Sequence, residues 1–197
     1  MGKPNITFET EKLIVRPVAP GDKEKYMKLR RESSPIKGAY DVLDGLLEEE
    51  WKAELNSAKD IFLVASMKDS GVFAASASYQ HFEDDEVEIG IDVAEEHRNK
   101  GIATELLTNM LRIAHDKYPD KRIILRTERT NAACRKAAEK CGGTICGYEP
   151  HPFSRLMDVF FKVADERFPG SRKMDELKQE YIAALMGNMD ELCVYQF

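Results

Sequence analysis

The stretch from Arg98 to Thr104 has the composition of a site that binds phosphate groups. It joins a segment with strand-type alternation to a segment with helical periodicity, and the small residues Gly101 and Ala103 lie in the first turn of the predicted helix. The start of a helix presents backbone N–H groups without intrahelical partners, and the helix dipole adds partial positive charge. Because small side chains let phosphate oxygens approach these groups, the stretch predicts an anion site that suits a diphosphate.

Charged and hydroxyl side chains flank the small residues of this stretch. Arg98 and Lys100 can neutralise phosphate charge, and the hydroxyl of Thr104 can donate a hydrogen bond. The spacing is neither that of the nucleotide P-loop, G-x-x-x-x-G-K-[ST], nor that of the dinucleotide fingerprint, G-x-G-x-x-G. The sequence therefore indicates a diphosphate site that differs from both of these nucleotide sites.

The elements that must position this stretch follow from the spacing of the apolar residues. We predict strands at Leu13–Pro17, Ile61–Ala65, Val72–Tyr79, Val87–Val93, Ile123–Leu125, Thr144–Tyr148 and Leu192–Tyr195. We predict helices at Asp22–Arg31, from Asp44 onwards with Leu47, Trp51 and Leu55 on one face, and at Gly101–Lys117, Asn131–Cys141, Phe153–Phe168 and Met174–Met186. Proline, glycine and short polar turns separate these segments.

The order of these elements predicts the fold class. The strands of the first half are joined by short turns, which indicates antiparallel pairing. In the second half strands and helices alternate, which indicates parallel β-α-β-α units. Together the two halves predict an α/β (α+β) fold with one mixed sheet flanked by helices. We expect a single domain over residues 1–197, with a helical embellishment at about 151–190 before the last strand.

The composition limits the partners and the location of the protein. A chain of 197 residues with 43% apolar residues can bury one sizeable core. The formal net charge of -6 and the lack of a dense lysine and arginine run argue against nucleic acid or an anionic membrane as the main partner. No apolar run has the length of a membrane span, and Met1 to Thr10 lack the pattern of a signal peptide, so we expect a cytoplasmic protein.

The cysteines do not indicate a metal site. Cys134, Cys141, Cys146 and Cys193 include no C-x-x-C pair, and the histidines add no ligand spacing beside them. Cys134, Cys141 and Cys146 fall in helix or strand patterns, where a cysteine usually acts as a small buried apolar residue. We therefore expect no metal and four free thiols in a reducing compartment.

The arrangement of Arg98, Gly101 and Ala103 between a strand and a helix resembles the signature [Q/R]-x-x-G-x-[G/A] of the GNAT superfamily of N-acetyltransferases. The opening stretch from Thr10 to Pro17 looks like the first strand of the branch that contains the ribosomal-protein N-terminal acetyltransferases. Asp22 stands where that branch caps its first helix.

Further along the chain, Asn131 to Gly143 is similar to the N-x-x-S…E-K-x-G-F segment of the same superfamily. The resemblance covers about Thr10 to Tyr148 plus the last strand. It implies a GNAT-type mixed, mostly antiparallel sheet with a splayed parallel strand pair, flanked by helices. It also implies acetyl-CoA as the cofactor and N-acetyl transfer to an amine as the activity.

The resemblance implies that the cofactor lies between two diverging parallel strands, which end at Val93 and near Thr127. Its pantetheine arm is expected to pair with strand backbone, and Asn131 matches the asparagine that binds this arm in the family. The implied cofactor-binding residues are Ile91, Val93, Arg98, Asn99, Lys100, Gly101, Ile102, Ala103, Thr104 and Asn131.

The implied reaction needs a neutral amine, a base that receives its proton and N–H donors for the oxyanion. Glu88 is our candidate base on the acidic face of its strand, with Glu86 and Asp92 as alternatives on that face. Backbone N–H groups near Asp92 and Val93 are candidate oxyanion donors.

Two further positions depart from the pattern of the superfamily. Cys134 stands where relatives usually carry a hydroxyl near the thioester sulfur, and we predict it as a catalytic residue, although a thiol is the weaker donor. Ala138 stands where many relatives carry a catalytic tyrosine, so the general acid is unassigned.

The acceptor is predicted only as a small-molecule amine or a peptide or protein amine. A non-catalytic acyl-CoA-binding or regulatory module of the same fold is the alternative function. A protein interaction domain dominated by the helices of the tail is a third. Those helices are expected to pack on the domain, and they either wall the acceptor site or form a homodimer interface.

Overall fold

The computed structural model describes residues 6–34, 45–80, 85–150, 161, 169–186 and 191–197, which form one eight-stranded sheet and five α-helices. The strands are β1 (Phe8–Glu9), β2 (Leu13–Pro17), β3 (Ile61–Met67), β4 (Phe73–Gln80), β5 (Glu86–Val93), β6 (Arg122–Glu128), β7 (Thr144–Pro150) and β8 (Glu191–Gln196). The helices are α1 (Lys23–Ser33), α2 (Leu46–Asn56), α3 (Ile102–Lys117), α4 (Ala132–Lys140) and α5 (Arg172–Met186). The predicted cap at Asp44 and, apart from the helical Phe161, the predicted helix Phe153–Phe168 lie outside the described residues.

The sheet has the strand order β1-β2-β3-β4-β5-β6-β8-β7. Among the described strands, β5 and β6 are the one hydrogen-bonded parallel pair, and every other pairing is antiparallel. The predicted mixed, mostly antiparallel sheet is therefore confirmed. The expectation that the strands of the second half pair in parallel is wrong for β6, β7 and β8. Strand β8 lies between β6 and β7 and is antiparallel to both. The buried run from Leu192 to Tyr195 suits an interior strand.

The parallel pair is splayed. Residues of β5 and β6 pair only as Glu86↔Arg122, Val87↔Ile123 and Glu88↔Ile124. Beyond this point β5 stays paired with β4 up to Ala75↔Val93, and β6 stays paired with β8 up to Glu128↔Leu192. Each strand thus follows its outer neighbour, and a gap opens between the two.

Helices cover both faces of the sheet. The adjacent residues Leu63 and Val64 of β3 belong to two different buried clusters, as expected for neighbours that point to opposite faces. The larger cluster includes the apolar face of α3, and the buried Tyr79 hydroxyl donates a hydrogen bond to the carbonyl of Met110 at 3.0 Å. The smaller cluster joins α1 and α2 to the other face, with Tyr26 and Trp51 ring centroids 5.4 Å apart.

Asp22 precedes α1 as predicted, but its side chain does not cap that helix. Its carboxylate accepts two hydrogen bonds from Arg16 of β2, each at 2.7 Å, and one from the N–H of Ala19 at 2.8 Å. Burial alone would raise the pKa of Asp22, but the hydrogen bonds from Arg16 and Ala19 outweigh it and lower the pKa. The carboxylate is directed back to β2 because a turn at Pro20–Asp22 precedes the helix.

A close contact within the sheet fixes the middle of β5. A Cβ atom added at Gly90 would lie 2.6 Å from the Oγ atom of Ser78 on the neighbouring β4. We therefore expect Gly90→Ala to lower the free energy of unfolding by about 1 to 3 kcal/mol, the usual cost of overpacking. Chemical denaturation measures this change.

Two matched variants show whether this contact is the cause. Gly147→Ala on β7 should cost less, because a Cβ there meets no atom within 4 Å. In a double-mutant cycle, Ser78→Ala should relieve most of the cost of Gly90→Ala, since it removes the crowded hydroxyl. Additive effects of the two substitutions would show that this contact does not limit position 90.

Candidate active site

A cavity of about 580 Å³ lies where β5 and β6 separate. Its walls come from the end of α1, the end of β5, the loop before α3, the first turns of α3, β6 and α4. Every predicted cofactor-binding residue except Lys100 lines it. The structure thus brings these residues together, and their roles as cofactor contacts stay predictions.

The loop before α3 has a specialised backbone. Asn99 has φ of 60° and Gly101 has φ of 81°, both in the left-handed region. Gly101 is the N-cap of α3, and a Cβ atom added there would meet no atom within 4 Å. The space over the helix start is therefore open, and the unpartnered N–H groups of the first turn border the cavity.

Arg98 closes this loop onto the end of β5. Its Nε donates a hydrogen bond to the carbonyl oxygen of Val93 at 3.1 Å. Neither of its Nη atoms has a partner among the described residues, so both are available to an anion in the cavity. The guanidinium group can therefore position the loop and contribute charge at the same time.

Asn131 and Cys134 lie at the start of α4, on the other side of the gap. Asn131 is the N-cap, and its Oδ1 accepts a hydrogen bond from the N–H of Cys134 at 3.0 Å. Burial raises the pKa of the Cys134 thiol, a hydrogen bond with Thr127 lowers it in part, and the charges of Glu128 and Asp92 raise it further. Cys134 is therefore a neutral thiol at pH 7, able to donate a hydrogen bond but poorly suited to act as a nucleophile.

Glu88 lies outside the lining of this cavity and is part of an ion-pair cluster. Arg126 of β6 donates hydrogen bonds of 2.8 Å to each of Glu88, Glu86 and Glu149. Burial alone would raise the pKa of Glu86, but hydrogen bonds from Arg126 and Arg122 outweigh it and lower the pKa. Glu88 as base remains a prediction, and the structure places it against Arg126 at the last backbone pair of β5 and β6.

Other residues that line the cavity were not singled out from the sequence. Lys136 and Lys140 lie one turn apart on the same side of α4, a spacing that the sequence shows but whose orientation it does not. Glu32 and Ser33 reach the cavity from the end of α1, which is distant in sequence. Ala138, by contrast, is fully buried and does not line the cavity, and its methyl group cannot act as an acid.

Neither a cluster of metal-ligand side chains nor a membrane-spanning helix is found among the residues that the structure describes. No group of three or more histidine, cysteine, aspartate or glutamate side chains among them could hold a metal ion. None of the helices in the described ranges is long and apolar enough to cross a membrane. The four cysteines are free, and Cys146 is exposed rather than buried as its strand pattern suggested.

A family model settles the class of the protein. The model described as Acetyltransferase (GNAT) domain matches residues 12–144. This match spans more than half of the 197 residues, and the chain belongs to the GNAT acetyltransferase family. The resemblance first seen at Arg98, Gly101 and Ala103 is thereby confirmed. No curated protein gives a significant sequence match.

Solved structures of acetyltransferases share the fold. Ribosomal-protein-S5-alanine acetyltransferase from Vibrio fischeri is 18% identical, with a TM-score of 0.54, over 74% of this chain and 86% of that one. Spermidine/spermine N-acetyltransferase from Vibrio cholerae is 16% identical, with a TM-score of 0.60, over 94% and 92%. An acetyltransferase from Agrobacterium tumefaciens is 19% identical, with a TM-score of 0.62, over 100% and 96%. At these identities the likeness shows the fold alone.

The raised pKa of Cys134 predicts slow alkylation. In a variant that keeps Cys134 as its one cysteine, we expect iodoacetamide to react at pH 7 about 10-fold more slowly than with free cysteine, because little thiolate is present. The rate should climb as the pH is raised above 9. Mass spectrometry of the alkylated protein measures both rates, and a rate at pH 7 above that of free cysteine would show an activated nucleophile instead.

Proposed function

We propose that this protein is a cytoplasmic N-acetyltransferase that moves an acetyl group from acetyl-CoA to a primary amine. The observation that carries this proposal is the cavity between the splayed strands, which ends at the open, glycine-capped start of α3. We further propose that the whole chain is one acyltransferase domain and that residues 151–190 form a helical embellishment of it.

The residues present fit the cofactor. The helix start from Gly101 to Thr104 would hold the diphosphate, with charge from Arg98. The backbone of β5 at Ile91 and Val93 is unpaired with β6 and would bind the pantetheine arm as an added strand does. Asn131 would contribute its side-chain amide at the opposite wall.

Bound acetyl-CoA supplies an acetyl group activated as a thioester, which the acceptor amine can attack directly. The chain supplies the surroundings of that attack. Backbone N–H groups near Asp92 and Val93 would stabilise the oxyanion, and the neutral thiol of Cys134 would donate a hydrogen bond towards the departing sulfur. A carboxylate on the polar face of β5 would accept the proton of the amine.

The proposed acceptor is a small-molecule amine or a peptide or protein amine. Support comes from the carboxylates of Glu32 and Asp92, which line the cavity and favour a cationic or neutral molecule. The names of two structural neighbours span the same range, from spermidine and spermine to an alanine of a ribosomal protein.

A non-catalytic acyl-CoA-binding module of the same fold is the second candidate function. It is favoured by the Arg126 cluster, which engages Glu88, and by the buried Ala138 where relatives carry a tyrosine. Two measurements separate the functions: CoA binding by calorimetry, and release of free CoA thiol from acetyl-CoA with a panel of amines. Binding with thiol release supports the enzyme, and binding without release for any amine supports the module.

If the diphosphate binds at the start of α3, Gly101→Asp should weaken CoA binding by roughly 100-fold. The new carboxylate would occupy the anion site and repel the phosphate groups. Calorimetric titration with CoA measures the affinity. Gly71→Asp is the matched control, since Gly71 is also left-handed, with φ of 67°, but lies in the turn between β3 and β4. Equal affinity of the Gly101 variant and wild type would place the diphosphate elsewhere.

Lys136 and Lys140 of α4 line the cavity, and we expect their charges to contribute to CoA binding less than the start of α3 does. Lys136→Gln and Lys140→Gln should each weaken CoA binding by about 3- to 10-fold at low salt, because exposed charges contribute modestly. The difference from wild type should shrink as salt is added. Lys117→Gln, at the end of α3, is the control and should bind CoA as wild type does. A salt-independent loss would indicate a structural effect instead.

A further inference from the structure

We infer that Asp92 accepts the proton of the acceptor amine and that Arg30 is its positioning residue, an inference that rests on the proposed function. Three carboxylates, Glu86, Glu88 and Asp92, lie on the same face of β5, because side chains alternate along a strand. Of these three, only Asp92 lines the cavity between the splayed strands.

The other two carboxylates are committed to the Arg126 cluster. Glu86 and Glu88 each accept a hydrogen bond of 2.8 Å from Arg126, and Glu86 accepts another of 2.6 Å from Arg122. Both lie where β5 and β6 still pair through their backbones. These contacts hold the closed part of the strand pair together, which is a structural task away from the gap.

Asp92 lies beyond the last backbone pair, in the open part of the gap. Its Oδ2 accepts a hydrogen bond of 3.3 Å from Arg30 of α1, and its side chain is 31% exposed. No hydrogen bond to its Oδ1 is donated by any of the described residues, which leaves that atom available to an amine. The carboxylate is therefore held from one side and open on the other.

Arg30 connects Asp92 to the helices that cover this face. Its guanidinium also lies 3.4 Å from Glu54 of α2, whose side chain is 14% exposed. Burial raises the pKa of Glu54 and of Tyr26, and the side chains of these two residues are hydrogen-bonded to each other. Arg30 thus ties α1, α2 and the end of β5 into one unit and fixes the direction of the Asp92 carboxylate.

Asp92 lines the same cavity as Cys134, the residue predicted to face the leaving group. The negative charge of Asp92 helps to raise the pKa of the Cys134 thiol, which lies across the gap on α4. A carboxylate on β5 and a neutral thiol on α4 therefore line the same cavity from opposite sides of the gap. This arrangement suits a reaction in which one side takes up a proton and the other stabilises a departing sulfur.

The step balances as follows. The nitrogen lone pair of the amine forms the new bond to the acetyl carbon, and the carbon–sulfur bond breaks with its electron pair on sulfur. The proton of the nitrogen moves to Oδ1 of Asp92, directly or through water, and later passes to the sulfur or to solvent. No oxidation state changes, so the step needs neither an oxidant nor a reductant.

The test compares Asp92→Asn with Glu88→Gln, using spermidine and a peptide with an N-terminal alanine as acceptors. We expect Asp92→Asn to lower kcat/KM about 100-fold without changing CoA affinity, and the loss to shrink from pH 7 to pH 9 because more amine is then already neutral. Asp116→Asn, at the exposed end of α3, is the matched control and should keep wild-type turnover. Arg30→Gln should lower kcat/KM about 10-fold. Arg30→Lys, which keeps the positive charge, should keep most of the wild-type kcat/KM.

A second readout needs no acetyl donor. Because the charge of Asp92 helps to keep the Cys134 thiol protonated, Asp92→Asn should speed alkylation of Cys134 at pH 7 about 2-fold or more. Asp116→Asn should not change this rate. An unchanged rate in the Asp92 variant would show that its carboxylate is too far from the reacting centre and would overturn the inference.

The remaining outcomes separate the inference from the proposed function. Full turnover by Asp92→Asn, together with a pH-dependent loss in Glu88→Gln, overturns the inference and leaves the acetyltransferase proposal intact. A loss in Asp92→Asn that does not shrink at high pH also overturns it. A wild-type protein that binds CoA but acetylates no amine overturns the proposed function, and the inference with it.

Discussion

The backbone pairing of β5 and β6 ends after three residue pairs, and the rest of the candidate site depends on this constraint. Further along, β5 stays hydrogen-bonded to β4 and β6 stays hydrogen-bonded to β8 through to their ends, so each strand follows its outer neighbour. The gap is therefore fixed by the outer pairings of the sheet. It places two unpaired strand edges beside the start of α3 and the start of α4, which together surround the cavity.

Charged side chains divide the polar face of β5 into two parts. In the closed part, Arg126 bridges carboxylates from β5 and β7 across the intervening β8. In the open part, Arg30 holds Asp92 from the opposite side, through the helices that cover this face. The same residue types therefore serve different purposes at either side of the last backbone pair. Such a division explains why charge pattern alone does not identify a base.

The sequence was sufficient for the local parts of the site and insufficient for its long-range parts. The loop from Arg98 to Thr104 could be predicted, because its chemistry depends on small residues at a helix start, which are adjacent in sequence. The position of β8 between β6 and β7 could not, since the order of strands depends on contacts between segments that are far apart in sequence. The side-chain partners of Asp22 and Glu88 were likewise set by distant residues, Arg16 and Arg126.

Hydrogen–deuterium exchange with and without saturating CoA, read by mass spectrometry, tests most directly whether CoA binds in the gap between β5 and β6. If CoA binds in the strand gap, exchange should slow at two places: the amides of the loop and first turn from Asn99 to Thr104, and the unpaired edge of β5 from Ile89 to Val93. The amides of β7, an edge strand that contributes no residue to the lining of the cavity, should exchange as before. Binding of CoA that protects other segments and leaves both of these unchanged would contradict the claim that the strand gap is the cofactor site.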